Sequence, residues 1–125
     1  MTRHITLTLP LPPSVNAMFG NNRGPGRGRY KTKAYRDWIK AATASLWEQK
    51  PQGGFPFFSD AFAIHVSVPL TMRGDVDNRI KGASDFLKSP AGIISDDKHT
   101  QSALISRSSD VEPGTCRVTV YEVRT

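Results

Sequence analysis

Four aspartates stand close together in a chain whose other charges are mostly positive. Asp75 and Asp77 are two residues apart, and Asp96 and Asp97 are adjacent. Crowded carboxylates destabilise a fold unless a cation neutralises them. Mg²⁺ prefers carboxylate oxygens and keeps several waters, and Mn²⁺ suits the same oxygen ligands. The sequence therefore predicts a magnesium site at these aspartates, with manganese as a substitute ion and a phosphodiester as the substrate.

Lys81 and Asn78 extend this polar set along a predicted helix. Lys81 lies four residues after Asp77 and so on the same helical face. The pair is compatible with a surface salt bridge contributing about 0.3–0.5 kcal/mol, or with an ammonium that positions water or the scissile phosphate. Asp75 and Asp77 are likewise compatible with simple caps at a helix start. Carboxylates, an amide and a lysine are nevertheless the groups that a metal-dependent phosphodiesterase needs.

The segment Gly92–Ser95 is an apolar step that leads into the Asp96–Asp97 pair. We expect this step to return the chain beside the start of the predicted helix that carries Lys81. The two groups of aspartates would then meet at one site.

The rest of the chain is basic enough to attract a polyanion. Seventeen Lys and Arg residues oppose eleven Asp and Glu residues, so without the four clustered aspartates the remainder carries seven acids and a formal charge of +10. Nucleic acid is the first candidate partner for such a field, although the charge alone is also compatible with an inert basic surface. A flexible DNA-binding loop is predicted within positions 21–33, and the candidate backbone contacts are Arg23, Arg27, Arg29, Lys31 and Lys33, with Arg73 just before the first aspartate.

Motifs of several other protein classes are missing. Gly24, Gly26 and Gly28 match neither the dinucleotide nor the P-loop spacing, so no nucleotide cofactor is expected. The three histidines lack zinc spacing with the single cysteine, Cys116, and one cysteine forms no internal disulfide, which suits a reducing cytoplasm. Prolines interrupt the N-terminal apolar run and no apolar stretch is long enough to cross a bilayer, so neither a secretion signal nor membrane contact is expected.

Hydrophobic periodicity predicts one domain over residues 1–125 that combines strands with two main helices. The aromatic residues of the first helix are more typical of a core than of a base-stacking platform, and Thr32 is its candidate N-cap. The predicted elements are strands at His4–Leu9 and Ala61–Pro69, helices at Thr32–Gln49 and Asp77–Lys88, and a closing hairpin of Ala103–Arg107 with Cys116–Val123.

Several runs of the sequence resemble the RusA family, the Holliday junction resolvases of bacteria and their phages. The most specific run is Asp75-Val76-Asp77-Asn78-Arg79-Ile80-Lys81, followed by Asp85 and then by Gly92-Ile93-Ile94-Ser95-Asp96-Asp97. The opening run Ile5–Asn16 is similar to the family's first strand and proline-rich turn, and Tyr35-Arg36-Asp37 is similar to the start of its first long helix. The resemblance covers most of the chain.

This resemblance implies an α+β fold, with a mixed β-sheet packed against two main helices, in a homodimer that places two active sites near a four-way DNA junction. It implies that Asp75, Asp77 and Asp97 are the catalytic metal-binding acids and that Lys81 is an essential lysine. Asp96 would support the metal site, and Asn78 would orient a ligand.

We therefore expect a magnesium-dependent endodeoxyribonuclease that resolves Holliday junctions by paired symmetric nicks in DNA recombination and repair. We expect it to be a bacterial or phage-encoded protein of the cytoplasm. Two alternatives stay open, a nuclease for other branched DNA and a non-catalytic, structure-specific DNA-binding protein. Cleavage that depends on a metal ion separates the last of these from the other two.

Overall fold

A four-stranded mixed sheet lies at the centre of the computed structural model, which describes residues 3–21 and 28–123. The main helices contribute buried side chains to a single core on one face of this sheet, which confirms the predicted α+β fold. No helix in the described residues is both long enough and apolar enough to cross a membrane. In chain order the elements are β1 (His4–Pro10), α1 (Val15–Met18), β2 (Phe19–Asn21), β3 (Arg29–Lys31), α2 (Lys33–Glu48), β4 (Phe62–Pro69), a first 3₁₀ turn (Val76–Arg79), α3 (Ile80–Lys88), a second 3₁₀ turn (Asp97–His99), β5 (Thr100–Ser108) and β6 (Thr115–Glu122).

The first strand and the first long helix form as their sequence patterns predict. The alternating Leu7 and Leu9 of β1 are buried, and so are Tyr35 and Trp38 of α2. The Oγ1 of Thr32 accepts a hydrogen bond from the backbone N–H of Tyr35 at 3.2 Å, which confirms the predicted N-cap. The indole N–H of Trp38 donates to the carbonyl of Pro10 at 2.9 Å. These aromatic side chains therefore belong to the core.

The central position of β4 corrects the predicted closing hairpin. The strand order is β1-β6-β4-β5, so β4 lies between β5 and β6 and these two strands do not pair with each other. β4 runs antiparallel to β6 and parallel to β5. Seven of its eight residues are buried, and a strand that is buried on both faces belongs in the middle of a sheet.

The unit β4-α3-β5 is a parallel crossover, and it decides where the aspartates lie. Phe62 pairs with Thr100 at one end of the two strands, and Pro69 pairs with Ser108 at the other end. A parallel connection must carry the chain back along the full length of the strand. Residues that precede α3 and residues that precede β5 therefore lie at opposite ends of the sheet.

The two edges of the sheet differ in how they are protected. At the β1 edge, the side-chain amide of Gln49 accepts from the N–H of Thr8 at 2.7 Å and donates to its carbonyl at 2.6 Å, and Ser45 donates to the same carbonyl at 2.9 Å. At the other edge, β5 pairs with only one strand of the described chain, and Leu104 at its midpoint is 60% exposed. A long edge strand without such protection is a template for pairing with another strand.

Candidate active site

Asp75 and Asp77 lie in the connection between β4 and α3. Gly74 has a φ of +90°, a value that favours glycine, and it turns the chain immediately before Asp75. Asp75 occupies the N-cap position of the first 3₁₀ turn, and its backbone carbonyl accepts from the N–H of Asn78 at 3.3 Å. The tight turn holds both aspartates and Asn78 within four residues of chain.

The carboxylates of Asp75 and Asp77 are not used to stabilise this turn. Both residues are exposed, and the side chain of Asp75 makes no capping hydrogen bond. Within residues 3–21 and 28–123, neither carboxylate has a hydrogen-bond or ion-pair partner. The interpretation of these residues as simple helix caps therefore finds no support in their contacts. Two free carboxylates so close in the chain are available to bind a cation.

Two arginines outside the predicted site residues anchor this region. The guanidinium of Arg79 donates to the carbonyl of Pro12 at 2.8 Å and ties the first 3₁₀ turn to the proline-rich turn after β1. Arg107 on β5 donates to backbone carbonyls of the segment just before Asp75. Arg79 stands inside the run from Asp75 to Lys81, and its place in that run is the only sequence signal that points to it. No spacing or motif in the sequence points to Arg107.

Lys81 lies in the first turn of α3 and is paired with Asp85. Its Nζ lies 3.2 Å from Oδ2 of Asp85, one helical turn further along. The surface salt bridge between Asp77 and Lys81 that the spacing allowed is therefore not formed. The side chain of Lys81 remains 45% exposed, so its ammonium is accessible to an incoming phosphate.

Asp96 and Asp97 lie at the far end of α3, and the expectation that Gly92–Ser95 returns them beside the start of this helix is wrong. Ile94 forms a bridge with Phe58, just before β4. The Nζ of Lys88, the last residue of α3, lies 3.5 Å from Oδ2 of Asp96. The nine residues of α3 span about 14 Å, because the helix is the return path of a parallel crossover.

Asp96 is held in its ionised form. A hydrogen bond with the carboxyl of Asp97, followed by the backbone N–H of Lys98 at 3.2 Å, lowers the pKa of Asp96 to about 2. Lys88 acts in the same direction. This turn therefore offers at least one carboxylate with oxygens suited to a hard cation at neutral pH.

A single chain keeps its two acidic groups apart. β5 contains nine residues, so its two ends are on the order of 25 Å apart. Asp75 and Asp77 lie toward one end and Asp97 toward the other. Among residues 3–21 and 28–123, no three His, Cys, Asp or Glu side chains are arranged to hold a metal ion. Each chain therefore presents two separate groups of aspartates.

The donors at Asp75 and Asp77 fit a magnesium ion in their chemistry. Mg²⁺ is usually held by one or two carboxylates together with waters and substrate phosphates, without a dedicated protein cage. Two exposed carboxylates without other partners in the described chain meet this requirement. Further ligands would come from the phosphate, from water or from another acidic group.

The short hairpin of β2 and β3 carries two of the predicted DNA-binding residues. The guanidinium of Arg29 lies 4.1 Å from the ring centroid of Phe19, and Nζ of Lys31 lies 5.8 Å from that of Tyr35. Both basic residues are exposed. The ring faces hold the two charged groups by cation–π contact, and the solvent-exposed side of each group stays available to phosphate.

The other predicted basic contacts are placed less uniformly. Lys33 begins α2 and pairs with Asp37 at 2.7 Å, while Arg23 and Arg27 lie outside the described residues. Arg73, two residues before Asp75, is exposed and lines a cavity of about 270 Å³. The same cavity is lined by Leu11, Pro69, Met72, Arg79 and the Pro113–Gly114 turn. Along the chain, positive charge therefore flanks the two free carboxylates, with Arg73 two residues before Asp75 and Arg79 two residues after Asp77.

Comparison with known proteins identifies a family for this chain. The model of the family described as endodeoxyribonuclease RusA matches residues 10–121, which is most of the chain. No curated protein gives a significant match. The matched range contains the whole β4–α3 connection and the Asp96–Asp97 pair. The chain therefore belongs to the RusA family of endodeoxyribonucleases.

Proposed function

We propose that this endodeoxyribonuclease resolves four-way (Holliday) junctions by paired, symmetric, magnesium-dependent nicks during DNA recombination and repair. The observation that carries the proposal is the pair of exposed carboxylates at Asp75 and Asp77, which lie inside the matched family range and have no partner in the described chain. Free carboxylates beside positive charge are what a metal-dependent phosphodiesterase requires. A protein that merely binds DNA gains nothing from unpaired acids that repel the phosphates.

Each of the clustered aspartates has a role in this proposal. Asp75, Asp77 and Asp97 would hold Mg²⁺, or Mn²⁺ in its place, with Asp96 in support. A divalent ion at such a site supplies Lewis-acid polarisation of the phosphate and an activated water.

Lys81 would stabilise the negative charge that develops on the phosphate or position the attacking water. Breaking the ion pair between Lys81 and Asp85 for this purpose costs little free energy, since an exposed pair contributes about 0–1 kcal/mol. Asn78 is partly exposed in the first 3₁₀ turn and would orient a ligand through its amide.

A homodimer supplies the missing acid. Because β4-α3-β5 is a parallel crossover, Asp97 lies far from Asp75 and Asp77 of its own chain. Within residues 3–21 and 28–123, the outer edge of β5 has no strand partner, in contrast to the β1 edge that Gln49 and Ser45 cover. Antiparallel pairing of β5 with its copy would therefore build a two-fold dimer on a continuous sheet.

The proposed pairing also brings the separated acids together. Leu104 is the middle residue of β5 and its side chain is exposed. Pairing centred on Leu104 sets Thr100 of one subunit opposite Ser108 of the other. The Asp97 turn of one subunit then lies toward the Asp75–Asp77 segment of its partner. The dimer would contain two composite sites related by a two-fold axis, which matches the two strands that must be cut in a junction.

The basic residues give this dimer its affinity for branched DNA. Arg29, Lys31 and Arg73 are exposed, and we assign the same role to Lys33 and to the adjoining Arg23 and Arg27. Contacts of this kind bind the phosphate backbone without reading its sequence. We place the protein in the cytoplasm of a bacterial or phage-infected cell, without a nucleotide cofactor.

Cleavage of defined DNA substrates tests the proposal. The purified protein is incubated with labelled four-way junctions, flaps and linear duplexes, with and without Mg²⁺. Junction resolution by two symmetric, ligatable cuts only in the presence of the ion is the expected result. Equal cutting of flaps would indicate a general nuclease for branched DNA. Binding without cutting under any divalent ion would leave a non-catalytic DNA-binding protein.

A further inference from the structure

We infer that Arg107 is a positioning residue that holds the metal-binding aspartates in place, an inference that rests on the proposed nuclease function. Arg107 lies near the end of β5, on the strand that pairs with β4. Its Nη1 donates to the carbonyls of Leu70, at 3.4 Å, and of Met72. Its Nη2 donates to the carbonyl of Gly74 at 2.9 Å. One side chain thus gathers three carbonyls from alternate residues of the segment that leads to Asp75.

Few backbone hydrogen bonds fix the path of this segment, and its main apolar anchor is the buried side chain of Met72. The N–H of Leu70 donates to Ser108 at 3.1 Å, and the N–H of Met72 donates to Pro69 at 3.1 Å. Residues 70–75 belong to no strand or helix, and the first 3₁₀ turn begins only at Val76. Gly74 adds conformational freedom because glycine has no side chain to restrict it. The bond from Arg107 to Gly74 therefore acts on the peptide next to Asp75.

The chemistry of the contact requires arginine. The guanidinium is planar and presents its N–H donors in a rigid fork, so two nitrogens can satisfy carbonyls of different residues at once. An ammonium is a compact point charge and cannot span the same carbonyls. Loss of the fork should shift the aspartates while leaving the charged DNA-binding surface largely intact.

Substitutions of Arg107 are compared with a matched change at Arg117. Arg117 lies on β6 and contacts Asp110, at 3.1 Å to its carboxylate and 3.4 Å to its carbonyl. Arg107→Met and Arg117→Met remove the same charge, and Arg107→Lys keeps the charge without the fork. The measurements are the junction dissociation constant, kcat for cleavage, and amide hydrogen exchange of residues 70–79 without metal and without DNA.

We expect kcat to fall about 10–100-fold in both Arg107 variants, because displacements of about 1 Å at a catalytic group have effects of this size. Junction affinity of Arg107→Met should equal that of Arg117→Met. Hydrogen exchange should rise in residues 70–79 of the Arg107 variants and stay unchanged in Arg117→Met.

Three outcomes would overturn the role of Arg107. The first is a kcat of the Arg107 variants equal to that of Arg117→Met, and the second is a defect of these variants in junction affinity alone. The third is a rise in amide hydrogen exchange that extends equally over β4 and β6, which would indicate a weakened fold. If Arg107→Met does not fold, Arg107→Lys gives the same readings. If the wild-type protein does not cleave, the proposed function fails, and hydrogen exchange still decides whether Arg107 holds the segment.

Discussion

Replacement of Leu104 by Asp tests whether β5 forms the subunit interface. Leu104 is 60% exposed in the single chain. Full burial of a leucine contributes about 1.5–3 kcal/mol, so covering the exposed share in two subunits contributes about 2–4 kcal/mol. Two aspartates facing each other near the two-fold axis at about 5 Å would add about 1–3 kcal/mol of repulsion. The total of about 3–7 kcal/mol predicts a dimer dissociation constant at least about 100-fold higher.

Sedimentation velocity over a dilution series measures this dissociation constant directly. Trp47→Asp is the matched control, because Trp47 is 59% exposed on α2 and the substitution adds the same charge. The control should dimerise like the wild-type protein. Leu104→Asp should also lose junction cleavage, since its composite sites would come apart. A dissociation constant of Leu104→Asp equal to that of the control would refute the β5 interface.

Three further predictions concern the lysine, the basic hairpin and the buried cysteine. Lys81→Ala should lower kcat about 100–1000-fold, which is the effect of losing one charge-stabilising donor. The free energy of unfolding should fall by less than about 1 kcal/mol, because the exposed pair of Lys81 with Asp85 is weak. Lys81→Arg should restore little activity, and near-normal cleavage by Lys81→Ala would return this residue to a surface role. The double change Arg29→Ala, Lys31→Ala should weaken binding to all DNA shapes and reduce the slope of log affinity against log salt by about 1 for each lost phosphate contact, whereas an unchanged slope would show that the hairpin does not touch the backbone. Burial raises the pKa of the Cys116 thiol from 9.0 to about 12. Alkylation of the folded protein near pH 8 should therefore be slower than alkylation in denaturant by at least about a thousandfold. Rapid labelling of the folded protein would contradict the buried position of Cys116 on β6.

Much of the local structure was predictable because it depends on short-range patterns. The alternation of Leu7 and Leu9 predicts β1, and the helical spacing after the Thr32 cap predicts α2. The same patterns determine which face of an element is buried but not which strand lies next to it. The predicted hairpin of β5 with β6 is wrong for that reason, since β4 occupies the place between them.

For the candidate site, the sequence indicates which residue types to consider but not how they are arranged. Asp75 and Asp77 lie at a helix start as their sequence position indicates. The position of Asp97 depends on the parallel pairing of β4 with β5, a long-range property that periodicity does not contain. Recognising strand, helix and strand as a parallel crossover would have placed Asp97 at the opposite end of the sheet. Arg107 was missed because its contacts join residues 33 to 37 positions apart in the chain.

The central claim is that each active site combines Asp75 and Asp77 of one subunit with Asp97 of the other. Complementation between inactive subunits tests this claim most directly. Asp77→Asn and Asp97→Asn should each abolish cleavage of a supercoiled cruciform plasmid alone, while junction binding stays intact or tightens. Refolding the two variants together in equal amounts makes about half of the dimers mixed. Each mixed dimer would contain one intact composite site, formed by Asp75 and Asp77 of the Asp97→Asn subunit and Asp97 of the other.

The mixture should therefore nick the plasmid with about a quarter of the wild-type number of sites and yield nicked circles without linear product. Wild-type protein refolded with Asp77→Asn is the control for subunit exchange: its wild-type dimers yield linear product, so any nicked circles come from mixed dimers with one intact site. Nicking by the mixture of Asp77→Asn with Asp97→Asn would support the composite site. No cleavage by that mixture, under conditions in which the control nicks, would contradict it.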